Sequence, residues 1–173
     1  MTNKEKLNEL INKKITQEEA FEFFDSLESI SVDEMLGQWS GREMSTGHPM
    51  EGLLSLSGWY GKRFESEENV FPLVMKGSDG VFFNLKPTIM NYSIPRSIIP
   101  LSMKLFRPFL SMDKSAARLR VIEHRGKKTS AMIYDSVAII DIFRKVDENT
   151  VLGIMDFKNS DTPASYFFVL ERE

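Results

Sequence analysis

The sequence predicts a mainly β protein: a single antiparallel up-and-down β-barrel of about eight strands, with helices ahead of it and a helix closing one mouth. Three observations carry this reading. Eight short runs have strand character, and turns rich in Gly, Asp and Asn join most of them. Apolar residues at helical spacing are concentrated before Gly37 and in two brief later stretches. A chain of 173 residues with 42% hydrophobic content can bury one substantial core, which suits one barrel of this size and the small ligand it can hold.

The elements follow in order. Leu7, Leu10, Ile11 and Ile15 form a thin apolar stripe, which predicts a helical extension over 1–15 ahead of the domain proper at 16–173. Thr16 followed by Glu19 makes a capping box, in which hydroxyl and carboxylate each satisfy a free backbone N–H, and opens a helix through Phe21, Phe23, Phe24 and Leu27. Ser31 with Glu34 repeats the device for a short turn ending at Gly37. Residues 37–44 read as extended. Gly47-His48-Pro49 then puts a proline where a helix starts, Leu53, Leu54 and Leu56 give that helix at 49–57 an apolar face, and Gly58 ends it. Beyond this point the period changes. Residues 71–76 and 81–86 are two strands across Gly77-Ser78-Asp79-Gly80, and 117–125, 129–135, 137–146, 151–158 and 165–172 are five more.

Residues 87–112 stand apart. They carry Pro87, Pro95, Pro100 and Pro108 and no acidic residue, so no single regular element can span them. Ile98, Leu101, Leu105 and Phe109, with Arg96, Lys104 and Arg107, predict a short basic amphipathic turn between Pro100 and Pro108. Such a segment interrupts the strands as a lid does, dividing the domain into 16–86, 87–116 and 117–173. Its composition also predicts a weak contact of 98–107 with an anionic membrane surface.

A net charge of -3 gives no global attraction to nucleic acid. With Cys 0, disulfides, thiolate zinc sites and a cysteine nucleophile are excluded, and a reducing, cytoplasmic setting is expected. The first residues hold no apolar run of the secretory kind, and no stretch approaches the ~20 apolar residues of a membrane helix. No His, Asp and Glu cluster has metal spacing, and neither a Gly-x-Ser-x-Gly elbow nor a phosphate loop is present. The sequence names no cofactor and does not fix an oligomeric state.

Several separated blocks resemble a known family. Gly37-Gln38-Trp39-Ser40-Gly41 with Arg42-Glu43, Thr46-Gly47-His48-Pro49, and Gly58-Trp59-Tyr60-Gly61-Lys62-Arg63-Phe64 resemble the Gly-x-Trp-x-Gly (GXWXG) domain family. Arg118-Leu119-Arg120, Met132-Ile133-Tyr134-Asp135, Ile140-Asp141, Phe143-Arg144 and 167–172 look like the domain of unknown function that follows it. The family carries no settled activity. The Gly-x-Trp pair is also similar to the signature of lipocalins and related calycin barrels, in which the Trp closes one end and an Arg of the last strand stacks on it. That likeness makes Trp39 and Arg172 the barrel-closing pair, in a contact of about 0.5–2 kcal/mol. It would also have Gly37 and Gly41 admit backbone close to the Trp39 ring.

Arg118 and Arg120 alternate with Leu119 and Val121, so both guanidiniums share one strand face. They either face solvent or point into the barrel, where a planar fork binds a carboxylate or phosphate head group with help from Tyr134. Asp141 lies between Ile139 and Phe143, while Arg144 shares its face with Ile140 and Ile142, so either buried face takes in a charge that needs a partner. Lys62 and Arg63 after Trp59-Tyr60 read as surface cations snorkelling over aromatic rings. Met90, Met103 and Met112 suit an adaptable apolar pocket.

Arg118, Arg120, Tyr134, Asp141, Trp59 and Met103 form the candidate ligand-binding set, with no catalytic residue among them. The expected function is binding of a hydrophobic small molecule, lipid-like or an acidic amphiphile, inside the barrel. The alternatives are a small enzyme using Asp135, Asp141 or His48 for proton transfer, a haem-binding barrel with His48 as axial ligand, or an interaction module with a solid core.

Overall fold

The computed structural model describes residues 1–91, 95–158 and 160–173. Its strands are β1 (Gly37–Glu43), β2 (Trp59–Phe64), β3 (Val70–Lys76), β4 (Phe82–Asn84), β5 (Ala117–His124), β6 (Lys127–Tyr134), β7 (Ile139–Asp147), β8 (Thr150–Phe157) and β9 (Tyr166–Arg172). Apart from β4, which pairs only with β3, each strand neighbours the next, and β9 returns to β1 from Trp39↔Arg172 to Glu43↔Phe168. The result is a closed antiparallel barrel of eight strands with one extra strand on its edge. Ladder lengths around the ring are unequal: β5 and β6 pair along their whole length, whereas β3 meets β5 only at Val70↔Ala117.

The membership of the ring differs from the expected one at a single strand. Residues 59–64, which lack a clean alternation, form β2, while 81–86 yields only the short β4 outside the ring. The reason lies at Gly61, where the β2–β3 register shifts. The Trp39 carbonyl passes so close that a Cβ on Gly61 would stand 1.9 Å from it. This irregularity lets Trp59, Lys62 and Phe64 all be buried, three and then two residues apart, which no period of two describes.

Strands of the far wall are buried on both faces, which explains their continuous apolar runs such as Tyr166 to Leu170. Phe168 and Leu170 point into the barrel with Phe143, Val151 and Met132. Phe167 and Val169 point outward with Ile142, Leu152 and Ile154, beneath two helices. These are α1 (Asn3–Ile11), which docks Leu7 and Leu10, and α2 (Gln17–Ser26), which docks Ala20, Phe23 and Phe24. The extension at 1–15 is therefore an ordered outer layer. Both capping boxes read from the sequence are present, Thr16 with Glu19 and Ser31 with Glu34, and Thr2 with Glu5 adds a third.

At one end of the barrel lies α3 (Val32–Met35), whose Met35 carbonyl accepts from the Trp39 indole N–H at 2.8 Å. The Arg172 guanidinium lies 4.2 Å from the buried Trp39 ring and donates to the carbonyls of Leu36 and Glu34. The other end carries α4 (Leu53–Ser57), 3-10 turns at Pro87–Asn91 and Arg96–Ile98, and α5 (Ile99–Leu110). Residues 92–94 of the expected lid lie outside the described residues. α5 is longer than the turn expected between its prolines. Pro100 sits in its first turn, and Pro108 costs only the Lys104 carbonyl its partner, at an exposed position that water can serve. Among the described residues no helix is long and apolar enough to cross a membrane.

Candidate functional site

A cavity of about 760 Å³ opens at the α4–α5 end. Leu73 and Met75 of β3, Leu53 and Leu54 of α4, and Ile99 and Met103 of α5 form its apolar wall, with His48, Arg96 and Asp161 among its polar groups. Two carboxylates hold the loop between β1 and α4 in place. Glu51 accepts from the Thr46 and His48 N–H groups at 2.5 and 2.9 Å, and Glu43 accepts from the Gly52 N–H, the Ser55 hydroxyl and the Tyr166 hydroxyl. His48, in turn, packs edge-on against Tyr166 and takes the Met50 N–H on Nδ1 at 3.0 Å. Burial pushes its pKa below the ordinary histidine value, against the opposing pull of Glu51, so the ring is neutral at pH 7. Burial, with Glu43 beside it, likewise raises the Tyr166 hydroxyl far above the phenol range.

Deeper in the barrel lies a charged cluster. Lys62 Nζ stands 2.8 Å from Asp141 Oδ2 and donates to the Pro72 carbonyl at 3.2 Å and the Tyr134 hydroxyl at 3.4 Å. The rings of Trp59, Tyr134 and Phe168 surround the ammonium at 5.6, 5.7 and 5.0 Å from their centroids. Asp141 Oδ1 and Trp59 Nε1 have no hydrogen-bond partner among the described residues. Burial raises the Asp141 carboxyl, opposed by Lys62, and raises the Tyr134 hydroxyl with the Asp141 charge adding to it. Trp59 pairs directly with Met75, so the cluster lies next to the strand residues of the cavity wall.

The expected set is thus divided. Met103 lines the cavity, and Trp59, Tyr134 and Asp141 meet around Lys62, a residue whose sequence context pointed to the surface. Arg118 and Arg120 are elsewhere: the inward face of β5 is Ala117 and Leu119. Arg118 pairs with Asp135 on the outer wall at 2.5 Å, and Arg120 with Glu68 at 2.6 Å. Leu119 is fully buried, so the inward-facing head-group fork is overturned, and Asp135 is an exposed residue that orients Arg118. Both faces of β7 are buried, so it takes in two charges. Asp141 goes inside, while Arg144 lies under α2 against the Phe24 ring and donates to the His124 carbonyl at 2.7 Å.

Residues 22–80 match the GXWXG protein family, and 115–172 match a domain of unknown function (DUF4334). A crystal structure of a protein from Thermomonospora curvata is 31% identical, covers 100% of this chain and 99% of its own, and superposes with a TM-score of 0.76. The chain belongs to the GXWXG family. No curated protein matches it. In this GXWXG chain the two matched segments are two arcs of one ring, β1 to β3 from the first and β5 to β9 from the second.

The glycines of the GXWXG motif serve different neighbours from those expected. A Cβ on Gly41 would stand 2.3 Å from the Trp59 ring, so Gly41 makes room for the second tryptophan and not the first. Gly37 adopts φ +121, where a side chain is strained, and a Cβ there would be 3.2 Å from the Arg172 guanidinium.

Proposed function

We propose that this GXWXG protein binds a hydrophobic small molecule in the cavity between α4, α5 and β3, with an acidic group held at the rim by Arg96. The cavity carries the proposal: its volume of about 760 Å³ suits a ligand of drug or lipid size, and its wall is largely aliphatic with a few convergent polar groups. An acid is better placed at the rim than at depth, because the barrel already holds the Asp141 carboxylate there. Among the described residues Arg96 has no carboxylate partner and donates only to the Pro49 carbonyl, leaving donors of its fork for a head group.

Titration with a fluorescent polyene fatty acid tests this. The native protein is expected to bind it saturably, Met103→Trp to weaken it about tenfold by filling the cavity, and Arg96→Ala to weaken it about tenfold while leaving the matching alcohol unaffected. Arg118→Ala and Arg120→Ala are expected to change nothing. Absence of saturable binding, or binding indifferent to Met103→Trp, refutes the cavity assignment.

A further inference from the structure

α5 is apolar on two sides. Ile99 and Met103 are buried toward the cavity, while Leu101, Leu105, Phe106 and Phe109 are exposed, from 53% for Phe106 to 74% for Phe109. Leu101, Leu105 and Phe109 recur every fourth residue and so form one stripe, which Ile98 extends by a turn. The β3–β4 hairpin contributes Val81 and Phe82, each 50% exposed, and is tied to α5 by the 2.8 Å pair of Arg107 with Asp79. Large apolar side chains gathered in this way on a water-soluble surface mark a place where something docks.

Charge decides what the partner is. The whole chain has a net charge of -3, yet residues 87–112 contain Arg96, Lys104 and Arg107 and no carboxylate. Lys76 lies over the exposed Phe82 ring and Lys86 donates to the Phe109 carbonyl, so both border the patch; Arg107 and Asp79 neutralise each other, which leaves Arg96, Lys104 and these two lysines as its net charge. A second copy of this chain docked face to face would set these cations against their own counterparts. An anionic bilayer answers both features: its headgroups meet the cations and its acyl boundary takes up the leucine and phenylalanine side chains.

We propose that the outer face of α5, with the tip of the β3–β4 hairpin, docks on an anionic lipid surface. This docking rests on exposure and charge alone, and it stands whether or not the cavity beneath α5 binds a ligand. If both hold, the cavity faces the membrane from which an apolar molecule is drawn.

Vesicle flotation of the full chain tests it, with phosphatidylcholine vesicles compared against vesicles containing phosphatidylglycerol. The native protein is expected to float with the anionic vesicles and remain behind with the neutral ones, and added salt should release it. Leu105→Glu combined with Phe109→Glu should abolish flotation, and Lys104→Ala should weaken it about fivefold. Val121→Glu, an exposed apolar position on β5, should float as the native protein does, and unchanged melting temperatures exclude misfolding of the variants. Failure of the native protein to float, or equal flotation with neutral vesicles, overturns the proposal. So does a stable dimer in light scattering that the double variant dissolves, since the face then belongs to a second copy.

Discussion

Asp141→Asn removes one charge from an ion pair that water scarcely reaches. The side chains of Lys62 and Asp141 are 4% and 2% exposed, with Nζ 2.8 Å from Oδ2. At that distance and an effective dielectric of about 20 the attraction is roughly 6 kcal/mol, and desolvation of the two ions offsets most of it in the native protein. With the carboxylate neutralised the ammonium keeps the Pro72 carbonyl, the Tyr134 hydroxyl and three ring faces, but its own desolvation cost is no longer offset. The expected loss is about 3–5 kcal/mol. For a domain of this size that is a fall in melting temperature of roughly 10 °C, readable by calorimetry or by urea midpoints. Lys62→Met together with Asp141→Leu removes both charges and is expected to end within about 1.5 kcal/mol of the native protein. A cost below about 1 kcal/mol for Asp141→Asn, or a double variant that loses the sum of the two single losses, refutes the buried pair.

Gly41→Val drives a side chain into the Trp59 ring and is expected to cost about 2–4 kcal/mol, part of which Trp59→Leu in the same chain restores; additive losses in urea denaturation would exclude the contact. Trp39→Ala should cost about 3–5 kcal/mol, because a fully buried indole is lost, and a loss below about 1 kcal/mol would place the ring outside the core. Glu34, held down to about 2 from 4.5 first by Lys145 and then by Ser31, stabilises the fold above its unfolded value. That stability is lost as pH falls from 4.5 toward 2, so Glu34→Gln should flatten the acid limb of the stability curve by at most about 1 kcal/mol, its carboxylate being partly exposed. In a proton NMR titration His48 should show a midpoint below 6.5, and one above it would contradict the buried neutral ring.

The parts of the fold that were legible in the sequence depend on neighbours in the chain. Thr16 and Glu19 identify their helix start because the capping bonds span three residues, and the β5–β6 hairpin reads directly because Gly126 and its neighbours make a local turn. β2 was illegible because its irregularity at Gly61 is imposed by the Trp39 carbonyl of another strand. Lys62 is buried because β7 brings Asp141 to it across the barrel, and nothing in the residues around Lys62 announces that partner. For Arg118 and Arg120, strict alternation fixes only that they share a face; Asp135 and Glu68, from other elements, hold them on the outer one. The cavity depends on how α5 settles over β3, a tertiary fact, although the apolar spacing of the segment was visible.

The single ladder pair between β3 and β5 makes this the shortest of the eight junctions in the ring. Elsewhere the ring is fastened by longer rows of hydrogen bonds, which resist stretching until a whole bond breaks. Here the Ala116 and Leu119 N–H groups donate to the Val70 and Glu67 carbonyls around that one pair, and beyond Val70 the edge of β3 pairs with β4, whose continuation meets the chain after α5 at Leu85↔Ser111. The barrel therefore closes on this side through the end of α5, which is tied to the β4 segment by the Met112 N–H to the Asn84 carbonyl and the Lys86 N–H to the Leu110 carbonyl, so the helix over the cavity is fastened into the seam of the wall itself.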